Sequence, residues 1–583
     1  MTVVPSSSLS ELSAVSSPDS FRTAFQSPEG TDAMDAQVDP PPLAYSMASQ
    51  LPRELKAHCQ IYLEEHLYNG ALGLLNSLLT SGYSRKDVTK TNAQVPPPTH
   101  LALLNTLIIH PSSTTRAAGA DRLEVGSQAL DYLRNLLAIA GPINAGFQNA
   151  FQFYGGAGRG RNRYVEEDDD EIDGDQISNK MAVEDSIWHR APDFWAVVGW
   201  AFNCSSAHPH RWRFWKTWLE FMLEVLDADY EERKRMDEAA QTPDRKKAAV
   251  ENRREAMIVT YIKQRAQYNR QGLKTILQAV LADGYSKSLA AFPEIFNKET
   301  KGLPSEDTKR RRMITLDIDN DQFGDYFDDD LVESEPESQP GTPNTPATPR
   351  TPSRKAGNPV TSDVAESIPL RLRLFNLLAK VSMEIPKDFF QKHDDYVKEL
   401  CTLLRQTTPL PFFQQFISDM GTHLDDAFRI DILLHELDCL LPRSYMEPGN
   451  VASSENGMKV TAEVLELCYL PHPADTSAIQ ENVRLALILE NLLYKIPPDE
   501  IRNSRDKLRA AAQVGVEARK WKTRNSGQKV RKSKKQKELC DRDRYATETL
   551  DLVGERILLY IEIMGGTDEE GLDETDSDEE MTD

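Results

Sequence analysis

Residues 61–79 read IYLEEHLYNGALGLLNSLL, and this stretch decides the fold class. Ile61, Leu63 and Leu67 precede Asn69-Gly70, and Leu72, Leu74, Leu75, Leu78 and Leu79 follow it. Leucines recurring three and four apart mark the apolar stripe of a helix, and Asn-Gly is a strong local breaker. The pattern predicts helix, break, helix, as in an antiparallel αα-hairpin.

Working outward, Leu74-Leu75-Asn76-Ser77-Leu78-Leu79 is echoed by Leu103-Leu104-Asn105-Thr106-Leu107-Ile108 and by Leu133-Arg134-Asn135-Leu136-Leu137. The period of about 30 residues is near that of helix pairs that stack into solenoids. Nowhere do Val, Ile and Thr alternate with polar residues over a strand-length run. The expected class is all-α: helical hairpins in a partly solenoid-like, HEAT/armadillo-type array, without a coiled coil, carrying long disordered acidic and Ser/Thr/Pro-rich segments.

Composition shifts divide the chain into expected segments. These are a disordered arm (1–45), a helical block (46–154), a Gly/Arg and then acidic loop (155–180) and a Trp-rich helical block (181–298). A disordered regulatory segment (299–364) precedes a C-terminal helical block (365–565) that includes a basic segment (519–540), and an acidic disordered tail (566–583) follows. The 299–364 segment joins a basic cluster (Lys309 to Arg312), an acidic run (Asp317 to Glu337) and four Thr-Pro dipeptides. Such a composition cannot bury enough apolar surface to offset chain entropy.

Net charge −23 opposes bulk electrostatic binding to nucleic acid or anionic membrane, though local basic clusters are hidden in that average. The six cysteines include no C-x-x-C pair, and residues 1–20 carry neither a basic n-region nor an apolar h-region. No apolar run approaches the roughly 20 residues needed to span a bilayer. The expectation is a soluble intracellular protein with free thiols.

Six L-x-x-L-L strings begin at Leu75, Leu133, Leu374, Leu400, Leu437 and Leu489. Exposed, they would resemble groove-docking helices. The same spacing is the minimal buried face of an amphipathic helix, and a core role is expected. An aromatic cluster comprises Trp188, Trp195, Trp200, Trp212, Trp215 and Trp218, with Arg211, Arg213 and Lys216 interleaved. A large aromatic core is the favoured reading, and a stacking platform for bases or methylated lysines the alternative.

No catalytic, cofactor or metal site is expected. Cys204, His208 and His210, with His189 nearby, lack the two separated ligand pairs of structural zinc. His435-Glu436 has no histidine at the next helical turn, so the zinc-protease helix is missing. Asp317-Ile318-Asp319-Asn320-Asp321 starts like a calcium loop but carries Gln322 where glycine is required. Gly156, Gly158 and Gly160 fit no nucleotide fingerprint, and no nucleophile elbow occurs.

The remaining motifs are regulatory. Thr342, Thr345, Thr348 and Thr351 are candidate proline-directed phosphorylation sites, and Ser577 suits an acidophilic kinase. Met313, Ile314, Leu316 and Asp317 have the form of a SUMO-interacting strand, which would pair by β-augmentation with SUMO or a SUMOylated partner. Arg519 and Lys520, followed by Lys529, Arg531, Lys532, Lys534, Lys535 and Lys537, form a bipartite basic segment like a nuclear-localisation signal. The expected protein is a nuclear, non-enzymatic scaffold or adaptor in a chromatin, genome-maintenance or ribosome-assembly complex. The alternative is a nucleic-acid-binding module using segment 519–537 and a Trp212-centred aromatic face.

Overall fold

The computed structural model describes residues 45–83, 92–154, 176–240, 250–268, 271–301, 362–387, 389, 392–451, 460–524 and 535–566. All of them belong to one compact unit that starts at Tyr45. The architecture is mostly helical, with twenty α-helices among the described residues. Thr342, Thr345, Thr348, Thr351, Ser577 and the Met313–Asp317 strand lie outside the described residues.

The opening hairpin forms, but its break falls earlier than Asn69-Gly70. Helix Arg53–Glu64 ends ahead of His66, which takes a left-handed φ of 59°, and Tyr68–Tyr83 follows directly. Gly70 sits inside the second helix, under the Tyr62 ring. Two three-residue strands, Ala48–Gln50 and Ala93–Val95, flank this hairpin and pair in parallel. Parallel strands require a long crossover, and the two helices supply it. Three residues are too few to show an alternation, which is why no sheet is legible there.

Helix Pro98–Ile109 packs on Ala120–Asn144, and Tyr68–Tyr83 covers the same partner. Ala120–Asn144 turns sharply at Gly141, whose φ is 75°. A side chain there would meet the Tyr45 ring at 2.4 Å, so both conformation and space call for glycine.

Helices Phe194–Ala207 and Pro209–Ala239 fold against each other about His208. Trp188, Trp195, Trp200, Trp212, Trp215 and Trp218 are all buried, the most exposed at 3%. Their ring nitrogens reach inward: Trp218 Nε1 donates to Asn105 Oδ1 at 2.8 Å, Trp188 Nε1 to the Ala102 carbonyl and Trp195 Nε1 to the Tyr261 carbonyl. The aromatic set is the central core of this half.

Glu299 does not belong to a solvated charged segment. It is fully buried, accepts backbone N–H bonds from Ile295 and Phe296, and pairs with Arg211. At the other boundary, helix Ser362–Glu384 starts within the 299–364 segment and carries Pro369. This helix packs on Pro209–Ala239, and charged pairs line the seam. Arg373 meets Asp227 at 2.7 Å, Lys380 meets Glu231 at 3.1 Å, and Glu384 takes Lys234 and Arg253 at 3.1 and 2.6 Å. Residues on the two sides of segment 302–361 therefore share one body.

The six leucine strings lie in the core. Leu75, Leu79, Leu133, Leu136, Leu374, Leu377, Leu378, Leu400, Leu403, Leu404, Leu437, Leu440, Leu441, Leu489, Leu492 and Leu493 are all buried. In the C-terminal part, Ile479–Leu493 packs against Lys535–Gly565, which also packs against Arg505–Arg524.

Candidate interaction surface

The basic segment is where sequence and structure differ most. Arg505–Arg524 lies against the π-helical turn Leu465–Tyr469, and Arg519 is buried at 1% exposure. Its Nη1 donates to the Leu470 carbonyl at 3.2 Å and the His472 carbonyl at 3.0 Å. Burial pulls the guanidinium pKa down to about 10. Gly515, one turn earlier, allows this approach: a side chain there would stand 1.8 Å from the Leu470 oxygen.

Arg519 is therefore a structural donor and is removed from the exposed bipartite segment. The physical reason is that Leu470 and His472 present buried carbonyls that need donors. Lys520 pairs with Asp551 at 2.8 Å, and Lys522 Nζ donates to the Ala474 and Asp475 carbonyls at 2.6 and 2.8 Å. Lys529, Arg531, Lys532 and Lys534 lie outside the described residues, and Lys535 and Lys537 fall in the first turn of Lys535–Gly565.

The Trp212-centred face, the alternative to an aromatic core, is not exposed. Trp212 is 1% exposed, and none of the six clustered tryptophans offers a ring to solvent. The seventh, Trp521, is 69% exposed on the basic helix, between Lys520 and Lys522. Its signal in the sequence was a tryptophan inside a run of charges, away from any leucine stripe.

Exposed apolar residues gather on these last two helices. Val514 lies seven residues before Trp521 and is 56% exposed. On Lys535–Gly565, Leu552, Leu559 and Ile563 are more than half exposed, at a spacing of seven and four. Val553, Ile557 and Ile561 hold the opposite, buried face of that helix. The helix is fixed at both flanks: Arg556 clamps Glu490, and Glu562 and Asp551 reach Arg509 and Lys520. Tyr494, itself partly exposed, packs edge-on against Tyr560 with ring centroids 4.6 Å apart. Leu552, Leu559 and Ile563 thus form an apolar strip along one face of an anchored helix.

Other concave features are modest. An open groove of about 420 Å³ lies between Tyr62, His66, Leu67, Arg122 and Val125. A space of about 20 Å³, the size of a water, lies beside Arg371 and Phe412. Among the described residues no group of three or more His, Cys, Asp or Glu side chains is arranged to hold a metal ion. Cys204 is buried, and burial pushes its thiol well up; His208 and His210 meet edge-on. Among the described residues no helix is long and apolar enough to cross a membrane.

Glu436, on helix Asp426–Leu440, is buried with Arg405 Nε 3.6 Å away. Burial pushes its carboxyl up to about 7, against the opposing pull of Arg405 and Arg484. It sits in packed core and not in a cleft, so its shift bears on stability more than on chemistry. No family model, curated protein or solved structure matches this chain.

Proposed function

We propose that the protein is a nuclear, non-enzymatic scaffold or adaptor, a solenoid-like helical array that holds protein partners within a chromatin, genome-maintenance or ribosome-assembly complex. The observation that carries this reading is the exposed strip of Leu552, Leu559 and Ile563 along one face of a single helix. Fully burying one such side chain stabilises by about 1.5–3 kcal/mol, so a partner that covers the strip gains a hot spot at the centre of its interface. The basic run Lys529 to Lys537 supports nuclear import, and the Thr-Pro sites and Ser577 support control by phosphorylation.

The test compares tagged wild-type protein with the triple variant Leu552→Glu, Leu559→Glu and Ile563→Glu in nuclease-treated nuclear extract. Stoichiometric partners held by the wild type and lost from the folded variant are expected. An identical partner set from both proteins, or a cytoplasmic location unchanged when the Lys529–Lys537 run is neutralised, rejects the reading.

A second reading is favoured by one observation. Trp521 is exposed on a basic helix, which suits base stacking beside phosphate contacts. Binding to a single-stranded oligonucleotide that weakens with salt and falls about tenfold in Trp521→Ala, as loss of one stacked base implies, supports it. Binding unchanged in that variant removes it.

A further inference from the structure

The strip of Leu552, Leu559 and Ile563 is bounded differently on its two sides. Toward helix Arg505–Arg524, Asp551 pairs with Lys520 and Glu562 lies 3.8 Å from Arg509. Toward helix Ile479–Leu493, Arg556 bonds Glu490 through Nε and Nη2, and Tyr560 packs on Tyr494. A helix turns by about 100° per residue. Glu555 therefore falls on the first side and Arg556 on the second, nearly level with each other between Leu552 and Leu559.

The charges near the strip are mostly matched within the chain. Glu548, on the same side as Glu555, pairs with Arg544 of its own helix. Glu555 is exposed and has no ion pair among the described residues, while Arg556 stays partly exposed despite its bond to Glu490. An unpaired acid and an accessible cation thus flank the apolar line at one height.

An occupant that matches both edges carries a cation opposite Glu555 and an acid opposite Arg556. A second copy of the chain does so in one orientation. A two-fold axis parallel to helix Lys535–Gly565 sets Leu552 and Leu559 each against its own counterpart, and brings Glu555 of each copy beside Arg556 of the other. Leucines seven apart then interdigitate as knobs into holes. An antiparallel pair sets the Glu555 side against the Glu555 side, where Lys520 and Arg509 already have acids, and like charges oppose it.

We propose that two copies associate in parallel through this strip, with Glu555 of each paired to Arg556 of the other. The proposal rests on the scaffold reading of the same strip and names its occupant. Three apolar side chains per copy fall short of the roughly 1,200–2,000 Å² buried in stable complexes, so the association is weak, with a dissociation constant on the order of 10 μM.

Sedimentation equilibrium of the full chain tests this. Copies of net charge −23 repel one another, so the salt is held at about 0.15 M, where the screening length is about 8 Å. A reversible monomer–dimer equilibrium is expected. Glu555→Lys sets a cation against Arg556 of the other copy and weakens it about tenfold; Leu559→Ser abolishes it. Both side chains are exposed, so both variants keep the wild-type circular dichroism. In a diamide-treated mixture of Leu552→Cys and Leu559→Cys proteins, mass spectrometry finds each new cysteine linked to its own counterpart. A wild type that stays monomeric, a dimer indifferent to both substitutions, or links from position 552 of one copy to position 559 of the other overturns the proposal. Loss of partners from the Leu552→Glu, Leu559→Glu, Ile563→Glu protein beside a monomeric wild type removes the second copy and leaves the scaffold reading in place. A dimer lost in Leu559→Ser beside an unchanged partner set does the reverse.

Discussion

The guanidinium of Arg211 meets the carboxylate of Glu299 at 2.5 Å, and neither side chain has any exposure to solvent. Further hydrogen bonds hold both partners. Arg211 donates to Thr114 Oγ1 at 2.7 Å and the Ile109 carbonyl at 2.8 Å, and Trp215 Nε1 donates to Glu299 at 3.2 Å. The pair ties the end of the first long helical stretch, just before residue 302, to the aromatic core. Burial raises the Glu299 carboxyl, an effect opposed by Arg211 and the backbone N–H of Phe296.

Breaking this pair on one side strands a buried charge, which typically costs about 3–5 kcal/mol. Glu299→Ala is expected to lose that much stability in urea denaturation. The double variant Arg211→Met with Glu299→Leu recovers part of it, because no buried charge is left, while the Ile109 carbonyl and the Trp215 and Phe296 N–H groups still lose their partners. A double variant as unstable as the single one contradicts this account.

Glu436 makes stability depend on pH near neutrality. Its folded carboxyl, pushed up to about 7 by burial, lies above the ordinary value of 4.5. The folded state therefore holds the proton more tightly than the unfolded chain. The resulting stabilisation is complete below about 4.5 and is lost as pH rises through 7. At 1.36 kcal/mol per unit the effect is of order 3 kcal/mol. His110, lowered to about 4 by burial, works in the opposite sense on acidification, so the wild-type curve mixes the two. The difference between wild type and Glu436→Gln isolates the carboxyl. That difference should shift in favour of the wild type as pH falls from 8 to 5, measured by thermal melting; a constant difference refutes it.

Helices and their buried faces were legible because their signal is local. The Leu374, Leu400, Leu437 and Leu489 strings repeat at helical spacing, and that spacing alone points them inward. The tryptophan core was legible for the same reason: Trp212, Trp215 and Trp218 sit three apart among other apolar residues. What was not legible depends on distant partners. Arg519 reads as one more solvated cation until the carbonyls of Leu470 and His472 are placed beside it, and Glu299 reads as part of an acidic linker until Arg211 is opposite. The seam that joins the two halves is built from pairs such as Arg373 and Asp227, far apart in sequence and on either side of residues 302–361. Trp521 was missed because a lone aromatic among charges has no periodic context to mark its exposure.

Gly515 is a steric requirement of the same region. A Cβ at this position would overlap the Leu470 carbonyl oxygen, a backbone atom that cannot rotate away. Gly515→Ala should therefore cost at least the 1–3 kcal/mol typical of overpacking, roughly 3 kcal/mol or more. Gly73, also helical and with nothing within 4 Å of the place a Cβ would take, is the control. Gly73→Ala should stabilise by about 0.5–1 kcal/mol through helix propensity. Urea midpoints of the two variants should move in opposite directions.

Arg519 and Lys520 are adjacent cations with different physical roles, and substitution separates them. Arg519→Ala leaves the Leu470 and His472 carbonyls without their donor and opens a cavity where a buried guanidinium packed. The cost should be about 2–4 kcal/mol, the sum of unmet buried acceptors and lost packing. Lys520→Ala removes only a partly exposed ion pair with Asp551, worth less than about 1 kcal/mol. Denaturation of the two single variants should show this asymmetry. An import assay that mutates Arg519 would then report loss of folded protein, whereas one confined to Lys529, Arg531, Lys532 and Lys534 addresses recognition itself. If Arg519→Ala melts like wild type, the buried hydrogen bonds are not what holds this helix to the π-helical turn.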